Sequence, residues 1–284
     1  MLRQTVGVGI FTVLVMSLAV GAEAPAASAK LSANEIVNRN IAARGGLQAW
    51  RSVQTMSWTG KMDAGGGSVE RSRRVAEGRR GHVSKMGLPD NKDAGKGDQQ
   101  VQLPFVMEMK RPGKSRIEIE FAGKTAVQIY DGTNGWKVRP FLNRKEVEAF
   151  TADELKSEQG KDLDGPLVDY AAKGTTVEVE GIEPVEGHDA YKLKLTTKSG
   201  AVQHVWIDKQ SFLDVKVEGV PRRMDGKMRT VWVYQREFRS VQGVMIPFLL
   251  ETAVDGYHEN HKMIIEKAVV NPKLDDNLFA KPKV

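Results

Sequence analysis

Between Thr55 and Val270 apolar and polar side chains alternate with period two. The stretch KSRIEIEF (residues 114–121) shows the pattern most cleanly: Ile117, Ile119 and Phe121 fall on one side of an extended chain, Arg116, Glu118 and Glu120 on the other. One side is wet and one dry, and the dry side faces either a second protein layer or a ligand. The same alternation predicts strands over residues 55–61, 101–110, 114–122, 125–131, 135–139, 175–181, 189–197, 201–208, 213–219, 228–239, 244–253 and 261–270. Turn residues such as Asp131-Gly132, Lys198-Ser199-Gly200 and Asp255-Gly256 separate them. Short adjacent strands without intervening helices argue for an antiparallel meander.

Two stretches change period. Ser32 reads as an N-cap before Glu35, and Ile36, Val37, Ile41 and Ala42 recur at helical spacing until Gly45-Gly46 stops them. Thr151 with Glu154 forms the signature of a capping box, and Leu155, Leu163, Leu167, Val168 and Tyr170 give apolar faces to one or two short helices broken near Gly165-Pro166. The expected fold is therefore mainly β with a few helices: one large, curved antiparallel sheet with helices on its apolar side. Residues from about 62 to 100, rich in Gly, Lys, Arg and Asp, read as a loop excursion from a single domain spanning 30–284.

By alternation, the dry face of 114–121 continues into Phe105, Met107 and Met109 on the preceding strand, Val127 and Ile129 on the following one, and then Trp136. Leu193, Leu195, Trp206, Phe248 and Leu250 are looser candidates. Methionine and large aromatics suit an adaptable apolar pocket, and they also fill ordinary cores.

The N-terminus places this domain in the cell. Arg3, the uncharged run Val6 to Val20 and Ala27-Ser28-Ala29 read as a secretory signal cleaved near Ala29, which leaves about 255 residues; an uncleaved membrane anchor is the competing reading. The absence of cysteine excludes disulfides, thiolate metal sites, cysteine nucleophiles and a lipid-modified cysteine. The net charge of +6 is local: from Lys61 to Lys124, fourteen Lys and Arg face nine Asp and Glu. That segment reads as a solvated face or a patch for anionic headgroups or an acidic partner, and no nucleic-acid partner is expected.

Catalytic motifs fail on inspection. Gly123-Lys124-Thr125 lacks the first glycine of a phosphate-binding loop, since position 118 is glutamate. Gly65-Gly66-Gly67-Ser68 lacks the strand-to-helix context of a nucleophile elbow. His258 and His261, with Asp255 and Glu259, sit beside a turn, where three-residue spacing does not bring both rings to one side. His82, His188 and His204 are isolated. Asp131 to Gly135 lacks the closing glutamate of a calcium loop and reads as a hairpin turn. No enzyme activity, metal or cofactor is expected.

Lys110-Arg111-Pro112, the strand KSRIEIEF, Asp131-Gly132-x-x-x-Trp136-x-x-x-Pro140-Phe141, a helical segment and later strands ending in NPKLDDNLFAKP together resemble the periplasmic lipoprotein carrier LolA and its outer-membrane lipoprotein-sorting relatives. The resemblance spans most of residues 31–284 in element order, with its specific motifs between 107 and 141. It implies an unclosed half-barrel whose helices form a lid, here about 151–173, over a cavity for lipoprotein acyl chains or lipids. On that view the cavity is lined by Phe105, Met107, Met109, Ile117, Ile119, Phe121, Val127, Ile129 and Trp136. It further implies that Arg111 holds the lid shut through its backbone, with Leu155, Leu167 and Tyr170 on the lid. The implied protein is a periplasmic, monomeric carrier for outer-membrane sorting, with an inner- or outer-membrane protein as partner. A stress sensor or protein-interaction domain on the same fold is the alternative.

Overall fold

The computed structural model describes residues 31–64, 101–140, 144–159, 161–258 and 260–283. The proposed signal and most of the Gly-rich basic excursion lie outside the described residues. Two helices open the described chain: α1 (Ala33–Ala43) and α2 (Leu47–Ser52). Ser32 caps α1 as the sequence predicts, and with Glu35 it closes a full capping box, satisfying amide donors that the first helical turn leaves unpaired. Gly45 ends the first helix at φ 108°, and a Cβ there would stand 2.1 Å from the Gly243 carbonyl oxygen. The loop between α1 and α2 is thus pressed onto a sheet turn in a way that only glycine permits.

Thirteen strands form one antiparallel sheet. The first six are β1 (Thr55–Ala64), β2 (Val101–Lys110), β3 (Lys114–Phe121), β4 (Lys124–Tyr130), β5 (Gly135–Arg139) and β6 (Arg144–Ala149). A short helix, α3 (Ala152–Glu158), follows. Then come β7 (Thr176–Val185), β8 (His188–Thr196), β9 (Val202–Asp208), β10 (Asp214–Met224), β11 (Lys227–Val241), β12 (Val244–Val254) and β13 (His261–Val270). The order is β6-β5-β4-β3-β2-β1-β13-β12-β11-β10-β9-β8-β7. Two meanders therefore meet where β1 pairs with β13, and the sheet stays unclosed because β6 and β7 are its two edges.

Three local expectations needed correction. β6, RKEVEA, carries too many charges to show an apolar period, yet it pairs with β5 as an edge strand. α2 was not anticipated; Trp50 and Leu47 pack it onto the sheet. Of the one or two short helices expected between Thr151 and Lys173, α3 alone forms among the described residues; from Leu163 onward the chain runs in turns, with Gly165 at φ 76° and Asp169 at φ 53°. A 3₁₀ turn at Asp276–Phe279 lies against β3, held by Lys114 to Asp276 at 2.8 Å and by an Arg116 N–H donated to the Leu278 carbonyl at 3.3 Å.

Candidate functional site

Strand register decides which side chains share a face, because residues directly opposite in an antiparallel pair project the same way. Across β1, β2 and β3 the rows are Met56–Met109–Ser115, Trp58–Met107–Ile117 and Gly60–Phe105–Ile119. Phe105, Met107, Met109, Ile117, Ile119 and Phe121 therefore lie together on the inner face, as predicted. On the other meander the inner face carries Leu193, Leu195, Phe248 and Leu250.

Val127, Ile129 and Trp136 do not join them. Ala122-Gly123, both at positive φ, make a two-residue turn that sets Phe121 opposite Lys124. The inner positions of β4 are thereby Ala126, Gln128 and Tyr130, while Val127 and Ile129 stand opposite Glu118 and Arg116 on the outer face. Trp136 pairs with Ile129 and shares that outer face. Trp206, opposite Lys216, is also outward. The tight turn between 121 and 124 was the signal that fixes this register, since a one-residue slip flips every side chain.

The inner face is covered at one end and half-open at the other. Trp50 and Val53 from the α2 region and Val168 from the inserted segment form a core with Met56, Phe105, Val244, Ile246, Phe248, Ile265 and Val270. Trp58, Met62, Met107, Ile119 and Met263 pack against this core but remain partly exposed, as do Ile117, Phe121 and Leu250. The dry side of KSRIEIEF thus meets a second layer only in part.

The inserted segment is fixed by a buried polar chain that sequence reading missed almost entirely. Arg111 donates from Nε to the Val53 carbonyl at 2.7 Å and from Nη2 to the Trp50 carbonyl at 3.3 Å and to Asp164 Oδ2 at 2.7 Å. The expectation that Arg111 binds the backbone of the lid needs correction: its backbone partners are on α2 and just after it, and it reaches the segment through the Asp164 carboxylate. Asp164 is buried, also receives Lys173 Nζ at 3.1 Å, and offers its carbonyl to Arg44 Nη1 at 2.8 Å. Arg44 stacks 4.5 Å over Trp50 and pairs through Nε with Asp214 at 3.3 Å. Asn40 donates to Asp214 at 3.2 Å and to the Phe212 carbonyl at 2.8 Å. Burial pushes the Asp214 carboxyl above the usual carboxylate range, against the pull of Arg44 and Asn40.

Of the three predicted lid residues, Leu167 is fully buried, Leu155 is half-buried on α3, and the Tyr170 hydroxyl reaches Asn34 at 3.5 Å. α3 itself is tied to β5 by Lys137 Nζ to Glu154 at 2.5 Å.

This architecture recurs in solved structures. A LolA superfamily protein from Nitrosomonas europaea matches with a TM-score of 0.50 at 14% identity, over 89% of this chain and 99% of that one. The chain has a LolA-type fold. A domain from Vibrio parahaemolyticus, described as an outer membrane lipoprotein-sorting protein, gives 0.51 at 12% identity over 87% and 95% of the two chains. A DUF1329 family protein from Desulfovibrio piger gives 0.51 at 12% identity over 88% and 97%. A family model described as "-like: Uncharacterized protein" matches residues 162–284. No curated protein matches the chain.

The outer face of the LolA-type sheet carries a second polar and aromatic cluster. Lys216 Nζ sits 4.3 Å from the Trp206 ring centroid, 5.1 Å from Trp232 and 5.5 Å from Tyr234. Beside it, a cavity of about 270 Å³ is lined by Glu186, Lys216, Tyr234, Arg236, Glu251 and Asn260 among others. Arg236 is held by Glu186 and Glu251. Burial pushes the Lys216 amine below the ordinary lysine value, with the Glu183 carboxylate pulling the other way. Its contribution to stability should therefore be smallest while the amine is charged and grow as pH rises from the folded midpoint to the ordinary value of about 10.4. An NMR titration of the Lys216 side chain is expected to show a midpoint below that value; one at or above it would contradict the desolvation.

Proposed function

We propose that this protein is a non-enzymatic, periplasmic carrier that holds the acyl chains of lipids or lipoproteins against the half-open inner face, for outer-membrane sorting. The observation that carries the reading is the continuous apolar surface of Trp58, Met62, Met107, Ile117, Ile119 and Phe121. It is left partly exposed on a LolA-type sheet, alongside the packed core. A solvated apolar strip of this kind is costly in water unless something covers it. Residues 151–173, pinned through Asp164, act as the closing element in this reading, and Val127, Ile129 and Trp136 take no part in the cavity.

Burying an acyl chain is worth about 0.8 kcal/mol per CH₂, and a membrane offers a comparable gain. Such a carrier works on small differences in free energy, with release biased by a membrane-protein partner or a tighter acceptor. The test is mass spectrometry of organic extracts from the mature protein, purified from the periplasm without detergent. Stoichiometric phospholipid, acyl lipid or lipoprotein is the expected result. Protein that is lipid-free when freshly isolated, and stays so after incubation with phospholipid vesicles, would overturn the carrier reading in favour of a protein-interaction domain.

A further inference from the structure

The β10–β11 hairpin runs on past its neighbours. β9 pairs with β10 only over Asp214 to Val217, and β12 pairs with β11 only from Val231 onward. Beyond those points the two strands pair only with each other, as Arg222–Arg229, Arg223–Met228 and Met224–Lys227. The projecting tip has an unusual composition for a water-facing turn. Met228 is 57% exposed and Val220 43%. Arg222, Arg223 and Lys227 are exposed and have no carboxylate partner among the described residues. The one acid of the tip, Asp225, already accepts a hydrogen bond from the Tyr257 hydroxyl, and Arg229 lies 5.8 Å over the Tyr257 ring. Tyr257, from the turn between β12 and β13, braces the tip and leaves its positive charge unanswered.

Strand polarity places this tip at a defined end of the sheet. β11 and β13 begin there and β1, β3 and β12 end there, so it is the end that carries the half-exposed Met62, Phe121 and Met263. The helix-covered end, with Trp50 and Val53 against Val244 and Val270, is opposite.

We propose that the β10–β11 tip is a docking arm for anionic phospholipid headgroups, bringing the open end of the inner face to a membrane surface. Arginine and lysine without carboxylate partners match lipid phosphates, and Met228 and Val220 enter the boundary between headgroups and acyl chains. Exposed apolar side chains beside unpaired cations favour this occupant over an acidic soluble protein, for which the charges alone would suffice. The purpose of the arm rests on the carrier reading, but its docking is measurable apart from it.

The experiment is flotation of the mature chain with vesicles of phosphatidylcholine alone and of phosphatidylcholine with phosphatidylglycerol. Binding is expected only to the anionic vesicles. Arg222→Glu with Arg223→Glu should lower it by about tenfold or more, and Met228→Ser should lower it at unchanged net charge. Lys267→Glu with Lys281→Glu, on exposed lysines outside the arm, should lower it by much less. Failure of the wild-type chain to float with anionic vesicles, or an equal loss in the arm and control pairs, would overturn the arm. Lipid extracted from the same preparations tests the carrier reading separately: an arm that docks on a lipid-free protein would leave the arm standing and remove the carrier.

Discussion

Asp214→Ala is expected to destabilise the protein by about 3–5 kcal/mol, the usual cost of removing one member of a buried ion pair. Arg44 and Asp214 have side-chain exposures of 9% and 7%, so solvent cannot rescue the guanidinium that the substitution strands. The Asp164 carbonyl and the Trp50 ring remain as partners of Arg44, but neither carries a compensating charge. Asn40 also loses one of its two acceptors. At roughly 2–4 °C per kcal/mol for a domain of this size, the melting temperature should fall by about 10 °C. Replacing both partners with apolar residues of similar shape, Arg44→Met with Asp214→Leu, should recover much of the loss, because no charge is then left alone. A single Asp214→Ala variant that melts with the wild type would show that Arg44 is held by other means.

The second large effect concerns ligand. Ile119→Glu places a carboxylate on the inner face opposite Ala126 and Phe105, where an acyl chain would have to desolvate it. Extracted lipid should fall at least about tenfold, while the partial exposure of Ile119 keeps the loss of stability modest. Val127→Glu is the matched control. It sits on the outer face opposite Glu118, so it should cost a few tenths of a kcal/mol in like-charge repulsion and leave bound lipid at the wild-type level. Equal lipid loss in both variants, measured on protein of normal melting temperature, would mean that the inner face is not where lipid sits.

Most of the strands were legible because each half-buried strand writes its own period into the chain, independent of its neighbours. The cap at Ser32 and the capping box at Thr151 were legible for a related reason: both partners lie within one turn. Within β2 and β3 the predicted inner row held, since the rows Phe105–Ile119 and Met107–Ile117 follow directly from the short turn between the strands. Counting residues through Ala122-Gly123 in the same way would have put Val127 and Ile129 outside.

The rest was decided in three dimensions. β6 is a strand because β5 offers it an edge, although four of its six residues are charged. Residues 163–173 are turns, with Leu167 and Val168 packed inward and Asp164 set between Arg111 and Lys173. The polar chain that locks them joins residues as far apart as Asn40 and Asp214, 174 positions along the chain. Local propensity records what a segment can do beside its immediate neighbours. Which buried arginine finds which carboxylate depends on loop closure and desolvation over the whole fold, and so the strands belong to the sequence and the latch to the tertiary structure.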